Sequence, residues 1–241
     1  MRLNEDLAEV VGAFIGDGCM SEYCDREGRN RCVVMFTGHW KNDGEYYRNK
    51  IAATILREFD YDRKLYHRKD DNTIRYTLVA KRVVAFFKEL GLPTGEKGDR
   101  IEIPEEILKN ERFALACVRG IFNTDGSLYR RYSKKYAGHR KAYRKYVVVQ
   151  FKMKNHKVIC QLKGILERYE IKVNRITKVL NCSVIRITEQ ASVRKFVNVI
   201  GFTHPYHEKR YCGIINETPS AENLDYDFKD MPAKEDNRLG L

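Results

Sequence analysis

A chain of 241 residues is long enough for one large domain or two small ones with a sizeable core, and 43% hydrophobic residues with well-mixed charges exclude a disordered polymer. No apolar run reaches the roughly 18 residues of a membrane span and MRLNEDLAEV has no signal-peptide layout, so a soluble intracellular protein with no membrane partner is expected. The net charge of +12 points to a polyanionic partner, and residues 215–241, with three Lys/Arg against seven Asp/Glu, leave the body more basic still.

Asn4 is placed to cap a first helix with Glu5 and Asp6 in its first turn, the apolar set Leu7, Val10, Val11, Phe14 and Ile15, and Gly18 as a left-handed stop. After the polar loop CDREGRN, the run CVVMFTG from Cys32 reads as a strand. A helix from about Asp43 to Phe59 follows, with Tyr47, Ile51, Ile55 and Phe59 on one face. Strands are predicted around Lys64 to Arg68 and Thr73 to Val79, then a helix from about Lys81 to Leu90 ending at Gly91. GLPTGEKGDRIEIP reads as a connector, and PEEILKN leads to Asn110, a second cap. The seven cysteines form neither a CxxC pair nor a zinc-spaced cluster and are expected reduced and mostly buried.

From Asn110 the first half repeats. FALACVRGIFNTD answers the first helix, YVVVQFKM answers CVVMFTG, HKVICQLKGILERYE answers the helix at 43–59, and SVIRIT and ASVRKFVNVIGF answer TIRYTL and KRVVAFFKELGL. The offset from Asp17 to Asp125 nearly equals that from Gly91 to Gly201. Such a duplication predicts an α+β fold of two αββαββα repeats related by a pseudo-twofold axis, provided a strand lies just after Gly18. The expected units are 1–99, 100–214 and an acidic tail at 215–241.

VVGAFIGDG and VRGIFNTDG each end in Asp-Gly at a helix C-terminus, where partial negative charge opposes a carboxylate. Two acids at matched positions suggest that a cation resolves the conflict. A second signal is SLYRRYSKKYAGHRKAYRKY, in which Arg130, Arg131, Lys134, Lys135, Arg140, Lys141, Arg144 and Lys145 interleave with five tyrosines around a tip at Ala137 and Gly138. A ribbon of this kind suits a DNA major groove. The shorter first-half loop carries Arg26, Arg29 and Arg31, and Lys152 and Lys154 extend the basic set. The charge run is also consistent with an arm binding phosphates without specificity.

The two motifs, with the element order around each, resemble the paired signature of the LAGLIDADG homing endonucleases over everything but the tail. The resemblance implies that the motif helices pack side by side, with Gly12 and Gly120 permitting close approach, and that Asp17 and Asp125 meet as catalytic, metal-binding acids. It adds the backbone oxygens of Gly16 and Thr124 as further ligands and Lys97 and Lys209 as catalytic basic residues. Mg²⁺, with Mn²⁺ as a substitute, is the implied cofactor. The implied protein is a monomer that lays two saddle-shaped antiparallel sheets on a long pseudo-palindromic double-stranded DNA site and makes a double-strand break, as in intron homing. Thr37, Gln150, His207 and Lys154 are polar candidates near the expected centre, whereas His39 and His204 read as ordinary polar or half-buried residues. The same scaffold is compatible with an RNA maturase acting on intron RNA, or with a non-catalytic DNA-binding regulator.

Overall fold

The computed structural model describes residues 2–136 and 139–216, and of residues 132–145 it describes only the strand backbone. The first half runs α1 (Glu5–Asp17), β1 (Gly18–Cys24), β2 (Asn30–His39), α2 (Trp40–Tyr46), a π turn (Tyr47–Ala52), α3 (Ala53–Phe59), β3 (Tyr66–Arg68), β4 (Thr73–Leu78) and α4 (Lys81–Glu89). The second runs α5 (Glu105–Leu108), α6 (Glu111–Asp125), β5 (Gly126–Tyr136), β6 (His139–Met153), α7 (His156–Arg168), β7 (Thr177–Val179), β8 (Cys182–Ile187), α8 (Gln190–Val199) and α9 (Pro205–Ile215).

The strands form two four-stranded antiparallel sheets of identical order, β1-β2-β4-β3 and β5-β6-β8-β7. This is the duplicated α+β architecture expected, and the strand required after Gly18 is β1. The first sheet buries one face. In β2, Val34 and Phe36 are buried while Met35 and Thr37 alternate onto the other side, and in β4 Ile74, Tyr76 and Leu78 are buried while Arg75 and Thr77 are not. The hairpin β5-β6 is longer than β1-β2, as the loop lengths required. Its tip, Ala137 and Gly138, lies outside the described residues, as do 217–241 of the acidic tail.

The helices α1 and α6 form the seam between the sheets. Asn4 Oδ1 accepts from Leu7 N–H at 2.9 Å and Asn110 Oδ1 from Phe113 N–H at 3.2 Å, so both expected caps form. A Cβ on Gly12 would collide with the carbonyl oxygen of Cys117, and one on Gly120 with that of Glu9. The relation is reciprocal, as a pseudo-twofold axis requires, and it brings the two backbones into direct contact.

Three expectations change. Gly18 and Gly126 are not left-handed stops: their φ/ψ values, −82°/158° and −79°/156°, are extended, and the chain passes straight from helix into strand. Glycine is needed there for space, since a Cβ would strike Phe14 or Phe122. Left-handed stops do occur at Gly91 (φ +77°) and Gly201 (φ +69°), where the N–H groups of Leu92 and Gly201 return to Phe87 and Phe196 carbonyls. The helix expected from Asp43 starts at Trp40, because His39 Nδ1 accepts from Asn42 N–H at 3.3 Å. Of the cysteines, all free, Cys117 alone is buried, and Cys24, Cys160 and Cys212 are exposed. Helix α9 was not read from the sequence although Pro205 stands at its first turn, the usual signal.

Candidate active site

Because α1 and α6 pack at their glycines, their C-termini converge. A Cβ on Gly16 would collide with Thr124 Oγ1 and lie 3.4 Å from Asp125 Oδ2, which sets the second acid against the end of the first helix. Burial, then the charges of Asp125 and Asp43, push the Asp17 carboxyl up to about 7, with Lys97 opposing. Burial also raises Asp125, again against Lys97. The two partly exposed acids thus sit where burial, and for Asp17 neighbouring negative charge, outweigh Lys97 and disfavour the charged form, the condition in which carboxylates take a proton or a cation.

Part of the compensating charge is built in. Lys97 Nζ donates to the carbonyls of Ile15 at 2.9 Å and Phe14 at 3.2 Å and to that of Gly16, covering the free carbonyls at the end of α1. Burial lowers its pKa, while Asp125 and Asp17 hold it up. The carbonyl expected as a metal ligand, Gly16 O, is therefore engaged by Lys97. Thr124 lies in the last turn of α6, its hydroxyl bonded to the carbonyls of Gly120 and Ile121. Lys209 is exposed on α9, and among the described residues no hydrogen bond or ion pair joins it to either acid.

Several residues around the acids escaped the sequence reading. Asp43 Oδ2 accepts from His39 N–H at 2.5 Å, and its Oδ1 lies 3.2 Å from His204 Nε2. His204, expected to be an ordinary half-buried residue, is 1% exposed; its Nδ1 caps α9 by accepting from Tyr206 N–H, leaving Nε2 to face Asp43. His207, one of the polar candidates read from the sequence, is buried against Phe122, with burial, then His204, pushing its pKa down to about 4. Tyr47 is fully buried. More than two turns before Asp17 on α1, the fully buried Glu9 accepts from Arg119 Nε at 2.9 Å, Tyr46 Oη and Asn123 Nδ2 at 3.3 Å, and the Thr203 hydroxyl, with Lys50 Nζ 3.2 Å away. The available signal was a charged residue inside the apolar run of α1.

The candidate DNA-binding residues are dispersed. Arg26 and Arg29 are exposed on the β1-β2 turn and Arg31 at the start of β2; Asp25 Oδ2 accepts from the Nε atoms of Arg29 and Arg31, both at 2.9 Å. Arg131 stacks over Tyr146 at 5.0 Å, Arg130 and Lys152 are half-buried, and Lys154 is exposed. The side chains of Lys134, Lys135, Arg140, Lys141, Arg144 and Lys145 lie outside the described residues. Gln150 accepts from Arg186 Nε at 2.7 Å, and Thr37 pairs in register with Arg75. Arg75 and Arg186 were missed, although each is the polar residue of an alternating strand. Among the described residues there is no group of three or more His, Cys, Asp or Glu that could hold a metal, and no helix long and apolar enough to cross a membrane.

No protein-family model matches the sequence. A replication factor C small subunit of Methanocaldococcus jannaschii is 28% identical over 231 residues, 93% of this chain but 11% of that protein, so the chain spans about a ninth of the curated relative's length. Among solved structures, the homing endonuclease I-DmoI in complex with DNA and Mn superposes with a TM-score of 0.59 at 16% identity, covering 83% of this chain and 98% of that one. The LAGLIDADG meganuclease I-AabMI bound to uncleaved DNA gives 0.59 at 12% identity, covering 89% and 91%. The LAGLIDADG homing endonuclease I-LtrWI bound to target DNA gives 0.58 at 12%, covering 88% and 90%. With its twin sheets on a glycine-packed helix pair, the chain has the fold of the LAGLIDADG homing endonucleases.

Proposed function

We propose that this protein is a site-specific DNA endonuclease of the homing type, cutting both strands of a long, imperfectly palindromic duplex as a pseudo-symmetric monomer. The observation that carries this reading is the convergence of Asp17 and Asp125 at the ends of two helices that pack through Gly12 and Gly120. The structures of similar fold were determined with DNA and, in the case of I-DmoI, with Mn or Ca. Residues 1–99 and 100–214 would each read one half-site, with 215–241 as an appended acidic segment.

Two hard carboxylates in a site short of positive charge fit Mg²⁺ or Mn²⁺, which is commonly held by one or two acids completed by water and phosphate oxygens. When bound, such an ion activates water and offsets charge on the leaving oxygen. Asp17 and Asp125 would hold it. Lys97, anchored on the α1 carbonyls, is in Coulombic reach of both acids and opposes the negative charge that gathers on the phosphate. Arg75 and Arg186, with Arg26, Arg29, Arg31, Arg130, Arg131, Lys152 and Lys154, would supply phosphate and base contacts.

The test is incubation of the protein with Mg²⁺ and a supercoiled plasmid library of randomised inserts, with the ends of linear products sequenced. Linear products sharing one long sequence, absent with EDTA, support the reading. Intron RNA bound tightly with no DNA cut would instead establish the maturase alternative.

A further inference from the structure

On the edge strand β3, His67 pairs with the buried Ile74, so its side chain lies on the helix side of the first sheet, opposite the face that carries Arg75 and Thr37. There its ring lies parallel to that of Trp40, with 4.0 Å between centroids and 10° between planes. Trp40 is fixed in place: its N–H donates to the Asn72 carbonyl at 2.8 Å, and Asn72 Oδ1 lies 3.3 Å from His67 Nε2. Beside the indole opens a hollow of about 390 Å³ lined by Trp40, Arg48, Ala52, Arg63, Lys64 and Leu65. Trp40, Ala52 and Leu65 form a half-buried apolar floor, and Leu56, four residues on from Ala52 and exposed, continues it. The three cations are exposed around this floor, with the Arg48 guanidinium 5.7 Å from the centre of the Trp40 ring. No carboxylate lines the hollow, and among the described residues none of the three cations is in a salt bridge. The π turn Tyr47–Ala52 supplies Arg48 and Ala52, and such turns often mark functional positions. The fold does not require the charge. Glu170 repeats the left-handed φ of Asp60 after the matching helix, yet three and four residues further on stand Val173 and Asn174, where the first half has Arg63 and Lys64. The hollow beside Glu170 is lined by Glu167, Glu170, Ile171, Lys172 and Val173, with acids in excess.

We propose that this hollow binds an unpaired nucleotide of a single-stranded nucleic acid, its base against the floor of Trp40, Ala52 and Leu65 and its flanking phosphates on Arg48, Arg63 and Lys64. Unpaired cations around an apolar floor select an anion with a flat apolar body, and base contact with aromatic side chains beside backbone charge pairing is how single strands are held. A duplex keeps its bases stacked inside and presents only phosphates. The site also lies on the opposite side of the sheet from Arg75 and Thr37, so a duplex on that open face leaves it free. It is therefore a second nucleic-acid surface, beyond the endonuclease reading.

Trp40 is the only tryptophan of the chain, so its fluorescence reports on the hollow directly. Thymidine and uridine oligomers of about eight nucleotides are titrated into the full chain in EDTA at several salt concentrations. Saturable quenching is expected, and the tighter oligomer names the source, DNA or RNA. An abasic strand of equal charge should bind about fivefold more weakly or worse, the worth of one stacked base. The double variant Arg63→Ala, Lys64→Ala changes two exposed side chains, so its Tm should match wild type. Its slope of log affinity for the strand against log salt should fall by about 1.4, two contacts at about 0.7 each. Its cleavage in Mg²⁺ of the duplex selected from the randomised library should be unchanged. No quenching by either oligomer, equal affinity for the abasic strand, or an unchanged slope in the variant overturns the inference, as does quenching only by phosphatidylglycerol vesicles or polyglutamate. Duplex cleavage by wild type is scored separately, so failure here leaves the endonuclease reading standing, and a wild type that cuts no duplex leaves this site standing.

Discussion

Gly120 lies against the carbonyl oxygen of Glu9 so closely that a single methyl group would collide with it, and Gly12 stands in the same relation to Cys117. The obstacle is backbone on both sides, so neither helix can yield without parting from the other. Gly12→Ala or Gly120→Ala should each cost about 3 kcal/mol or more, the upper range for overpacking. Urea denaturation checks this, and an alanine variant as stable as wild type would show that the helices do not meet there. Gly164→Ala, with open space around its Cβ position, is the matched control and should be neutral or slightly stabilising.

Removal of the buried Glu9 carboxylate should be as damaging for a different reason. Glu9→Ala strands Arg119 and the Asn123 amide and should cost about 3–5 kcal/mol, the usual price of breaking a buried ion pair from one side. In a double-mutant cycle, adding Arg119→Ala should cost less in the Glu9→Ala background than alone. Strict additivity would mean that the two do not interact.

Glu9 also shows where sequence reading stops. The seam, the repeats and the acid pair were legible because they obey period and symmetry: Asn4 and Asn110 cap, Gly12 and Gly120 pack, and Asp17 and Asp125 end their helices. Asp43, His204 and Tyr47 were not, because each gains its role from a partner far along the chain or from the π turn, which no 3.6-residue period announces. Glycine after the acids was read correctly as necessary but for the wrong cause, space beside a phenylalanine rather than a left-handed φ. Lys209 was chosen by position alone, and the extra helix α9 carries it to an exposed place.

His207 gives stability a pH dependence. Its pKa in the folded chain, about 4, lies below the ordinary 6.5, because burial and the neighbouring His204 disfavour the charged ring, outweighing the Asn123 backbone and Asp43. The unfolded chain therefore binds the proton more readily. The associated stability is fully present above about pH 6.5 and is lost as pH falls toward 4. The loss should appear as a difference of about 2–3 kcal/mol between wild type and His207→Gln, because the raised Asp17 carboxyl, which adds stability as pH falls, contributes to both, as thermal melts at stepped pH would record. A wild-type curve parallel to that of His207→Gln across this window would contradict the assignment.

Arg186 is held by Gln150 rather than by a carboxylate. If it meets a phosphate, Arg186→Ala should weaken binding to any DNA and reduce the slope of log affinity against log salt by about 0.9. An unchanged slope with altered sequence preference would make it a base contact instead.

The central claim is that the paired acids hold the cation at which DNA is cut, so the decisive measurement is single-turnover, strand-resolved cleavage of the selected duplex by wild type, Asp17→Asn and Asp125→Asn in Mg²⁺. Both variants should fold with Tm values at or above wild type without metal, since each removes a repelled carboxylate, and should still bind the duplex. Their cleavage should fall by at least about a hundredfold. Cleavage by either variant at the wild-type rate would mean that these carboxylates only end their helices, and the assignment of the site would be wrong.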